Sequence, residues 1–390
     1  MCVDAPQPAP AVSLYLHVPF CRAKCRYCAF FSQPLRAGDL DVYVPLLVDE
    51  MALWAERLGR VRVPTVFFGG GTPSLLPPGD LARIMDALRT HFDLAGDAEI
   101  TMECNPDSAS LEFLQAARSL GVNRLSLGVQ SFRDDELFLL GRPHSARQAW
   151  EAAARARGAG FANLGLDLIW GLPGQREGQW LETLRRALEL SPEHLSCYGL
   201  SLEPGTPLAE GLAEAPEDER QLPPERELAH LYVHTGELLE GAGYLQYEIS
   251  NYARLGQACR HNQACWEGRD YLGLGPAASS TLGNMRWTNP EDLRVWTELV
   301  RERKIGLHQR ETLSPEIRAQ ERLMLALRTT KGLNLSEYRA LSGRNLLTSH
   351  AAIIQALRQK ELIRLHQGRL RLTRTGMLVS SSIIRALGFE

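Results

Sequence analysis

The stretch SLYLHVPFCRAKCRYCAFFS, residues 13–32, joins an apolar strand pattern to three closely spaced cysteines. Its first six residues are mostly aliphatic or aromatic, which is typical of a buried strand. Cys21, Cys25 and Cys28 then follow at positions i, i+4 and i+7, so a single loop supplies three thiols. We therefore expect a metal site where the first strand of a sheet ends.

The cysteine spacing distinguishes between two kinds of metal centre. A structural zinc site normally has four ligands and is often built from paired C-x-x-C units, whereas this loop supplies three ligands. An iron-sulfur cluster held by only three cysteines leaves one iron open for a substrate or cofactor. The spacing favours the cluster, and a zinc site or unligated buried cysteines are the alternatives.

Six short β-branched or aromatic runs alternate with segments of helical apolar spacing. This alternation predicts an α/β fold with a parallel sheet and right-handed crossovers. The sheet is either a TIM-type barrel, which six strand-helix units would leave as a partial (β/α)6 barrel, or a doubly wound sheet. The predicted strands are residues 13–18, 65–70, 99–104, 124–130, 163–171 and 194–202.

The 390-residue chain has an ordinary globular composition, with 44% apolar residues, 23% charged residues and a formal net charge of −3. That charge indicates no particular partner. The N-terminus has neither the basic segment nor the apolar run of a secretory signal, and no stretch approaches the roughly 18 consecutive apolar residues of a membrane span. We therefore expect a cytoplasmic protein whose residues 1–11 form a disordered tail.

The sequence pattern changes along the chain and divides it into parts. We expect the sheet domain to span residues 12–255, with an exposed loop rich in Pro and Gly at 203–223. A connecting region at 256–310 precedes a helical, winged-helix-like domain at 311–390. This last part carries 13 Lys and Arg against 6 Glu. Its charges are spread out without interleaved aromatic residues, so nucleic-acid binding is not expected.

Polar motifs follow the predicted strands where each strand ends. Because ligands bind at the carboxyl ends of parallel strands, these motifs converge on one site. Glycines let the backbone approach a ligand, acids suit an ammonium group or ribose hydroxyls, and Gln or Arg can hold a carboxylate. Each residue alone has an ordinary alternative, such as a tight turn, a helix cap or a surface charge. The residues are Gly69, Gly70, Gly71, Thr72, Glu103, Gln130, Arg142, Asp167 and Ser201.

The C-x-x-x-C-x-x-C loop followed by GGGTPS at 69–74 resembles the radical S-adenosylmethionine (SAM) superfamily. Together with YLHVPFC, MECNP, LGVQSF and LDLIWGLPGQ, it is similar to the branch that contains oxygen-independent coproporphyrinogen III oxidase and the HemW-type haem chaperones. The resemblance covers residues 12–385. It implies a partial barrel followed by a C-terminal domain of the kind seen in that branch.

The resemblance also implies a set of cofactors. Cys21, Cys25 and Cys28 would bind a four-iron four-sulfur cluster whose open iron chelates the amino and carboxylate groups of SAM. One electron from a reductant such as flavodoxin or ferredoxin would break a carbon-sulfur bond of SAM and give a 5′-deoxyadenosyl radical. The implied SAM contacts are Tyr15, Tyr27, Gly70, Gly71, Thr72, Glu103, Gln130, Arg142, Asp167 and Ser201.

Two features separate the chain from the oxidase pattern. The oxidase pattern continues with a fourth cysteine, where this chain has Phe30. Only 20 residues precede Cys21, so the longer N-terminal arm that helps enclose porphyrinogen in the oxidase is missing. Both features resemble the haem chaperones.

The stretch CRHNQACW at 259–266 resembles the H-N-x-x-Y-W stretch of the haem chaperones, with Cys265 in place of Tyr. His261 is the leading candidate for a haem ligand, because histidine is a common axial ligand of haem iron. Cys259 and Cys265 are thiols close to it in sequence. The alternative is a hydrogen-bonded loop histidine that packs against Trp266.

We therefore expect a chaperone that binds haem and a SAM-ligated cluster and transfers haem to an acceptor protein. The alternative is an enzyme, either a coproporphyrinogen III oxidase or another radical SAM enzyme of porphyrin metabolism. A zinc-dependent regulator that uses its basic C-terminal domain is a distant third. The sequence leaves a homodimer and a peripheral membrane contact open.

Overall fold

The six predicted strand patterns form the centre of the structure. The computed structural model describes residues 11–216 and 221–388. Each predicted run forms a strand, and each strand pairs in parallel with the next. The predicted disordered tail at 1–11 lies outside the described residues, except for Ala11, which forms an isolated bridge with Arg62.

The strands form one large sheet and two small ones. Their bounds are β1 (Ser13–Val18), β2 (Phe20–Cys21), β3 (Gln33–Pro34), β4 (Arg62–Gly70), β5 (Asp93–Cys104), β6 (Arg124–Gln130), β7 (Asn163–Trp170), β8 (His194–Gly199), β9 (Leu245–Gln246), β10 (Asn251–Ala253), β11 (Tyr271–Leu274), β12 (Ser279–Leu282), β13 (Met285–Thr288), β14 (Glu311–Thr312), β15 (Leu333–Asn334), β16 (Ile363–His366) and β17 (Arg369–Leu372).

The helices lie between the strands and at the C-terminal end. Besides a 3₁₀ turn at Pro73–Leu75, they are α1 (Asp39–Leu58), α2 (Pro78–His91), α3 (Leu111–Ser119), α4 (Asp134–Leu140), α5 (Ala146–Gly158), α6 (Glu177–Glu189), α7 (Pro207–Glu214), α8 (Glu225–Gly241), α9 (Arg260–Trp266), α10 (Leu293–Arg301), α11 (Pro315–Leu327), α12 (Leu335–Ser342), α13 (Leu346–Ser349), α14 (Ala351–Gln359), α15 (Arg374–Leu378) and α16 (Ser380–Gly388). In the described part of the chain, none is both long and apolar enough to span a membrane.

The large sheet has a parallel centre and antiparallel edges. β1, β4, β5, β6, β7 and β8 lie side by side in chain order, as the sequence predicts. β11 adds a seventh parallel strand beside β1, and β12, β13 and β14 continue that edge in antiparallel pairing. β10 and β9 extend the other edge. Within the described residues the two edges do not pair with each other, so the sheet stays open.

The two faces of the parallel strands differ in polarity, because successive side chains of a strand point to opposite sides. On β6, Leu125 and Leu127 belong to the hydrophobic core, which includes the apolar sides of the surrounding helices. Arg124 and Ser126 lie on the other face. That polar face is buried as well, since Arg124 is only 2% exposed. The fold therefore encloses charged side chains beside its strands.

Residues 256–310, for which the sequence predicts a connecting region, complete the main sheet instead. The short apolar strand β11 pairs with the edge of β1 that the other predicted strands leave open. Glu50 on α1 holds the segments that follow β11 in place. Its buried carboxylate accepts hydrogen bonds from Gly275 N (2.7 Å), Asn289 Nδ2 (2.8 Å) and Trp296 Nε1 (3.3 Å). Burial raises the pKa of Glu50 to about 7.

The predicted exposed loop at 203–223 contains the helix α7. Thr206 caps this helix by accepting a hydrogen bond from Ala209 N, and Pro207 occupies the first turn. Both residue types favour helix starts at these positions. The Pro and Gly content of the segment favours a loop, but the Thr206 cap and Pro207 favour a helix in part of it. Residues 217–220 of the predicted loop lie outside the described part.

The C-terminal part has the predicted order of helices followed by a hairpin. α12, α13 and α14 precede the strands β16 and β17, and β15 completes a three-stranded sheet with the order β15-β17-β16. Leu323, Leu370 and Ile384 belong to the same continuous hydrophobic core as the large sheet. The C-terminal part therefore packs on the sheet domain through shared apolar contacts.

Replacing Glu50 with Ala should destabilise the apo protein, because three donors would lose their acceptor, and each buried unsatisfied group costs about 1–3 kcal/mol. We expect the free energy of unfolding, measured with urea, to fall by roughly 3 kcal/mol. Glu56→Ala on the same helix is the matched control. The ion pair of Glu56 with Arg303 is exposed, so its loss should cost less than about 1 kcal/mol. Equal stability of the two variants would contradict the role of Glu50.

Candidate cofactor site

A cleft of about 640 Å³ lies at the carboxyl ends of the parallel strands. The structure brings together the three loop cysteines and all the predicted SAM contacts except Tyr15. Phe30, which is 69% exposed, lies at the same cleft. The predicted residues that line it are Cys21, Cys25, Tyr27, Cys28, Gly70, Gly71, Thr72, Glu103, Gln130, Arg142, Asp167 and Ser201.

The cysteine loop is attached to the strand ends at several points. β2 and β3 pair across its base. His17 Nε2 on β1 lies 2.8 Å from Phe31 O, just after the last cysteine. In the middle of the loop, Arg26 N donates to Leu140 O on α4 at 3.0 Å. Contacts at the base, middle and end of the loop hold the three thiols against the sheet.

The triglycine turn after β4 packs against the cysteine loop. Gly70 has φ +106°, and a Cβ there would lie 2.7 Å from the His17 ring. A Cβ at Gly71 would lie 2.5 Å from Phe20 O, which is closer than real side chains allow. Gly71 N and Thr72 N donate to backbone carbonyls before the first cysteine at 2.8 and 2.7 Å. The sequence predicts a turn that opens its backbone to a ligand, but these two N–H groups bind the loop.

Two thiols of the loop accept hydrogen bonds from neighbouring strand ends. Arg142 Nη1 lies 3.3 Å from Cys25 Sγ, and Thr72 Oγ1 lies 3.5 Å from Cys21 Sγ. Arg142 also donates to Asn105 Oδ1 at 2.7 Å, which fixes the guanidinium. Donors and positive charge near sulfur stabilise the thiolate, which is the form that binds metal. The cleft therefore supplies both ligands and the partners that tune them.

The number of thiols in the loop suits a cluster better than a structural zinc ion. A zinc ion needs ligands that converge on one point at about 2.0–2.3 Å. Within residues 11–216 and 221–388, no group of three His, Cys, Asp or Glu side chains has a metal-binding arrangement. In a cluster each thiolate binds a different iron, so three cysteine ligands are enough and the thiols need not converge on one point. The number of cysteines in the loop therefore favours the cluster over a structural zinc ion.

Two carboxylates share the cleft beside the cysteine loop. Ser126 Oγ donates to both oxygens of Asp167, at 3.1 and 3.0 Å. Burial raises the pKa of Glu103 to about 8, and the negative charge of Asp167 adds to this effect. Burial also raises the pKa of Asp167. Because nearby positive charge favours ionised carboxylates, the pair fits a cationic ligand that also carries hydroxyl donors.

Gln130 ends β6 with an unusual backbone conformation. Its φ of +66° is in the left-handed region that residues with side chains rarely adopt. The pairing register of β6 and β7 shifts just before it. Such strained positions concentrate at functional sites, where the surrounding structure holds them. Gln130 is also one of the residues that line the cleft.

Tyr15 and Ser201 differ from the other predicted SAM contacts. Tyr15 is not among the lining residues, because its ring lies next to Gly69 and its hydroxyl bonds His17 Nδ1 at 3.0 Å. Burial raises the pKa of Tyr15, and the charge of Glu103 adds to the effect. Ser201 lines the cleft, but its hydroxyl already donates to Glu203 Oε1 at 2.6 Å. Both hydroxyls therefore have partners within the protein.

His261 and Cys265 lie outside the cleft, on the short helix α9. His261 Nδ1 lies 2.9 Å from Thr65 Oγ1, and its ring centroid is 5.1 Å from that of Phe67. The backbone N–H of His261 donates to Glu99 Oε1 at 3.0 Å. These partners belong to the early and middle parts of β4 and β5, away from the cysteine loop. His261 is hydrogen-bonded, as one alternative predicts, but its ring contact is Phe67 rather than Trp266.

The chemistry of the α9 side chains follows from their burial. Burial lowers the pKa of His261 to about 4, so its ring is neutral at pH 7. Burial raises the pKa of the Cys265 thiol to about 11 and that of Cys259 to about 12. Cys259 Sγ also lies 3.4 Å from Glu99 Oε1. Both thiols are therefore protonated at pH 7 and are poor metal ligands.

Several lining residues were missed by the sequence analysis. Asn105 bridges Arg142 and Thr72, and Ser126 holds Asp167. Tyr198 on β8 lines the cleft and is 42% exposed. Ser126 could have been found by counting back in steps of two from Gln130, because alternate residues of a strand share a face. Asn105 lies beyond the strand, where no such count applies.

The chain matches two protein-family models. The Radical SAM superfamily model matches residues 15–187, and the HemN C-terminal domain model matches residues 313–379. The first match contains the cysteine loop and most of the residues of the cleft. The second falls within the basic C-terminal part.

Known proteins resemble the chain over almost its whole length. "Heme chaperone HemW" of Mycobacterium tuberculosis is 35% identical over 386 residues, which covers 98% of this chain and 96% of the relative. The protein of the same name from Bacillus subtilis is 33% identical over 375 residues, with coverage of 96% and 98%. The structure of coproporphyrinogen III oxidase (HemN) from Escherichia coli matches with a TM-score of 0.84 and 25% identity, over 98% of this chain and 91% of that chain. The chain belongs to the HemW family of the radical SAM superfamily.

Proposed function

We propose that this protein is a haem chaperone, which binds haem and passes it to an acceptor protein while holding a SAM-ligated [4Fe-4S] cluster in the cleft. The observation that carries the proposal is similarity over almost the entire chain to relatives named as heme chaperones. Phe30 supports it, because this exposed side chain stands where the oxidase pattern has a fourth cysteine.

The cleft residues fit the two resident cofactors. Cys21, Cys25 and Cys28 would hold the cluster, which when reduced supplies the electron that cleaves a carbon-sulfur bond of SAM. Arg142 would donate to sulfur and spread positive charge over the site, as hydrogen bonds to cluster sulfurs tune reduction potential. The buried acid Glu103 would accept hydrogen bonds from the cationic or hydroxyl groups of SAM, as ionised carboxylates do.

His261 is our proposed haem ligand, with Cys265 as a weaker candidate. The ring of His261 is neutral at pH 7, as a metal ligand must be. It is also buried by its contacts with Thr65 and Phe67. Haem could therefore reach the ring only if α9 moves away from β4.

The proposal requires two partner proteins. One is a reductant such as flavodoxin or ferredoxin, which would deliver single electrons to the cluster. The other is the protein that accepts haem. We place these exchanges in the cytoplasm. A homodimer stays a prediction of the sequence analysis.

A coproporphyrinogen III oxidase is the second candidate function. The observation that favours it is the fold likeness to the Escherichia coli oxidase, with a TM-score of 0.84. The same cleft would then admit the porphyrinogen beside SAM. The absence of the fourth cysteine at Phe30 argues against this reading.

Two measurements on one anaerobic preparation can distinguish a haem chaperone from a coproporphyrinogen III oxidase. After cluster reconstitution, haem titration and coproporphyrinogen III turnover should be followed on the same protein. We expect a saturable haem spectrum and no decarboxylated product. Cys28→Ser should lose the cluster and its visible absorption, which shows that the reconstituted metal is bound at the loop. Steady formation of vinyl product without a stable haem spectrum would refute the chaperone function.

Glu103→Gln should weaken SAM binding about tenfold, which is the cost of losing one charge-assisted hydrogen bond. In the parent protein, SAM affinity measured by anaerobic calorimetry should rise between about pH 7 and about pH 9, because the Glu103 carboxyl ionises in that range. The variant should lose this pH dependence. Exposed Glu112→Gln on α3 is the control and should behave as the parent.

The Glu103→Gln substitution should raise the thermal stability of the apo protein, although it weakens SAM binding. The folded-state pKa of Glu103 lies above its usual value, so this carboxyl costs stability as pH rises from about 4.5 to about 8. The apo Glu103→Gln variant should therefore melt at a higher temperature than the parent at pH 8. A lower melting temperature of the variant at pH 8 would contradict this stability cost, whereas the role of Glu103 in SAM binding is decided by the calorimetry.

His261→Ala should weaken haem binding in an absorption titration and leave the cluster content unchanged. The reason is loss of the axial nitrogen ligand. His230→Ala, which changes an exposed histidine on α8, is the matched control. Unchanged haem affinity in the His261 variant would exclude this residue as the ligand.

A further inference from the structure

A second cavity of about 950 Å³ lies between the sheet domain and the C-terminal part. The end of α8 and the strand β9 form one side of it, and α14, β16, β17 and α15 contribute the other. It shares no lining residue with the cofactor cleft. Nothing in the proposed function uses this cavity.

Positive charge dominates the lining of this cavity. Arg358, Arg364, Arg371 and Arg374 line it, and Glu240 is the one acid among its lining residues. Glu240 is already paired with Arg374. Within residues 11–216 and 221–388, none of the other three arginines forms a salt bridge. The cavity therefore contains three cations without a counter-charge from the protein.

The two hairpin arginines are placed unfavourably for the isolated protein. Arg364 on β16 and Arg371 on β17 stand directly opposite each other in the antiparallel pair. Like charges at such positions destabilise a sheet. In addition, the Nε atoms of Arg371 and Arg374 are buried without a hydrogen-bond partner. A bound group with negative charge would offset the opposition of Arg364 and Arg371, whereas the buried Nε atoms are not accessible from the cavity.

We propose that this cavity binds a small polyanion, a molecule that carries two or more phosphate or carboxylate groups. Guanidinium groups bind both kinds of oxyanion through parallel N–H donors. The volume is at the upper end of small-molecule sites, which span roughly 300–1,000 Å³. Neighbouring Thr330 and Gln246 add polar groups to the same lining.

The lining favours a small polyanion over a nucleic acid. It contains no Phe, Tyr or Trp on which a base could stack. The cations are gathered within one cavity, whereas a nucleic-acid surface follows a backbone over many phosphates. The proposal concerns a different site from the cofactor cleft, so it does not depend on haem, SAM or the cluster.

The site joins two parts of the chain. Glu240 and Gln246 belong to the sheet domain, whereas Arg358, Arg364 and Arg371 belong to the C-terminal part. A bound polyanion would therefore hold the hairpin against α8. A ligand that binds only the folded state raises its stability, so binding should raise the melting temperature.

Calorimetry of the full chain with inorganic tripolyphosphate and, separately, citrate tests the proposal and distinguishes phosphate from carboxylate ligands. We expect one saturable site per chain for at least one probe, weakened by added NaCl because salt screens the charges. The double variant Arg364→Gln, Arg371→Gln should bind at least about tenfold more weakly, which corresponds to the loss of charge-assisted contacts. The control is Arg318→Gln, Arg385→Gln, which removes the same charge from exposed positions outside the cavity and should bind within about twofold of the parent.

Three outcomes would overturn the proposal. They are equal affinity of the double variant and the control, uptake of several probe molecules per chain without saturation, and displacement of tripolyphosphate by duplex DNA at lower phosphate concentration. Arg371→Lys retains the positive charge at this position, so a fold disturbed by removal of the charge cannot explain weaker probe binding by this variant. It should still bind the preferred probe several-fold more weakly, because lysine lacks the planar fork of arginine. Unchanged affinity of this variant would also count against the site.

Discussion

Charge buried on the polar face of the parallel sheet constrains the rest of the structure. Arg124 is 2% exposed, so its guanidinium must be balanced by neighbouring groups. Glu99 and Asp167 lie close enough to act on it electrostatically. Glu99 in turn accepts the backbone N–H groups of Arg260 and His261 at the start of α9. Glu99, Arg124 and Asp167 therefore form one charged column, which links α9 at one end of the strands to the cleft at the other.

This column explains why the cleft can hold acids that would otherwise be too costly to bury. The charge of Arg124 lowers the pKa of both Glu103 and Asp167, although burial outweighs that effect. Arg142 adds a second cation and is itself fixed by Asn105. The polar groups are thus held in place by the protein before any ligand arrives, which is the condition for tight binding without large rearrangement.

The sequence predicts local features of this fold well and non-local ones poorly. The strands, the cysteine loop and the cleft acids follow from patterns within a few residues. The pairing of β11 with β1 joins segments more than 250 residues apart, so no local pattern could reveal it. The position of His261 is hidden for the same reason, because Thr65 and Glu99 bury it from distant strands. The opposition of Arg364 and Arg371 needed the hairpin register, which composition does not supply.

The partners of the cysteine loop come from strands that are far apart in the chain. His17 is on β1, Thr72 follows β4, and Arg142 lies beyond β6. The loop carries all three thiols, but the groups that hold it and bond its sulfurs come from separate parts of the chain. A substitution in any one of these distant segments can therefore change the surroundings of a thiol without altering the cysteine loop itself.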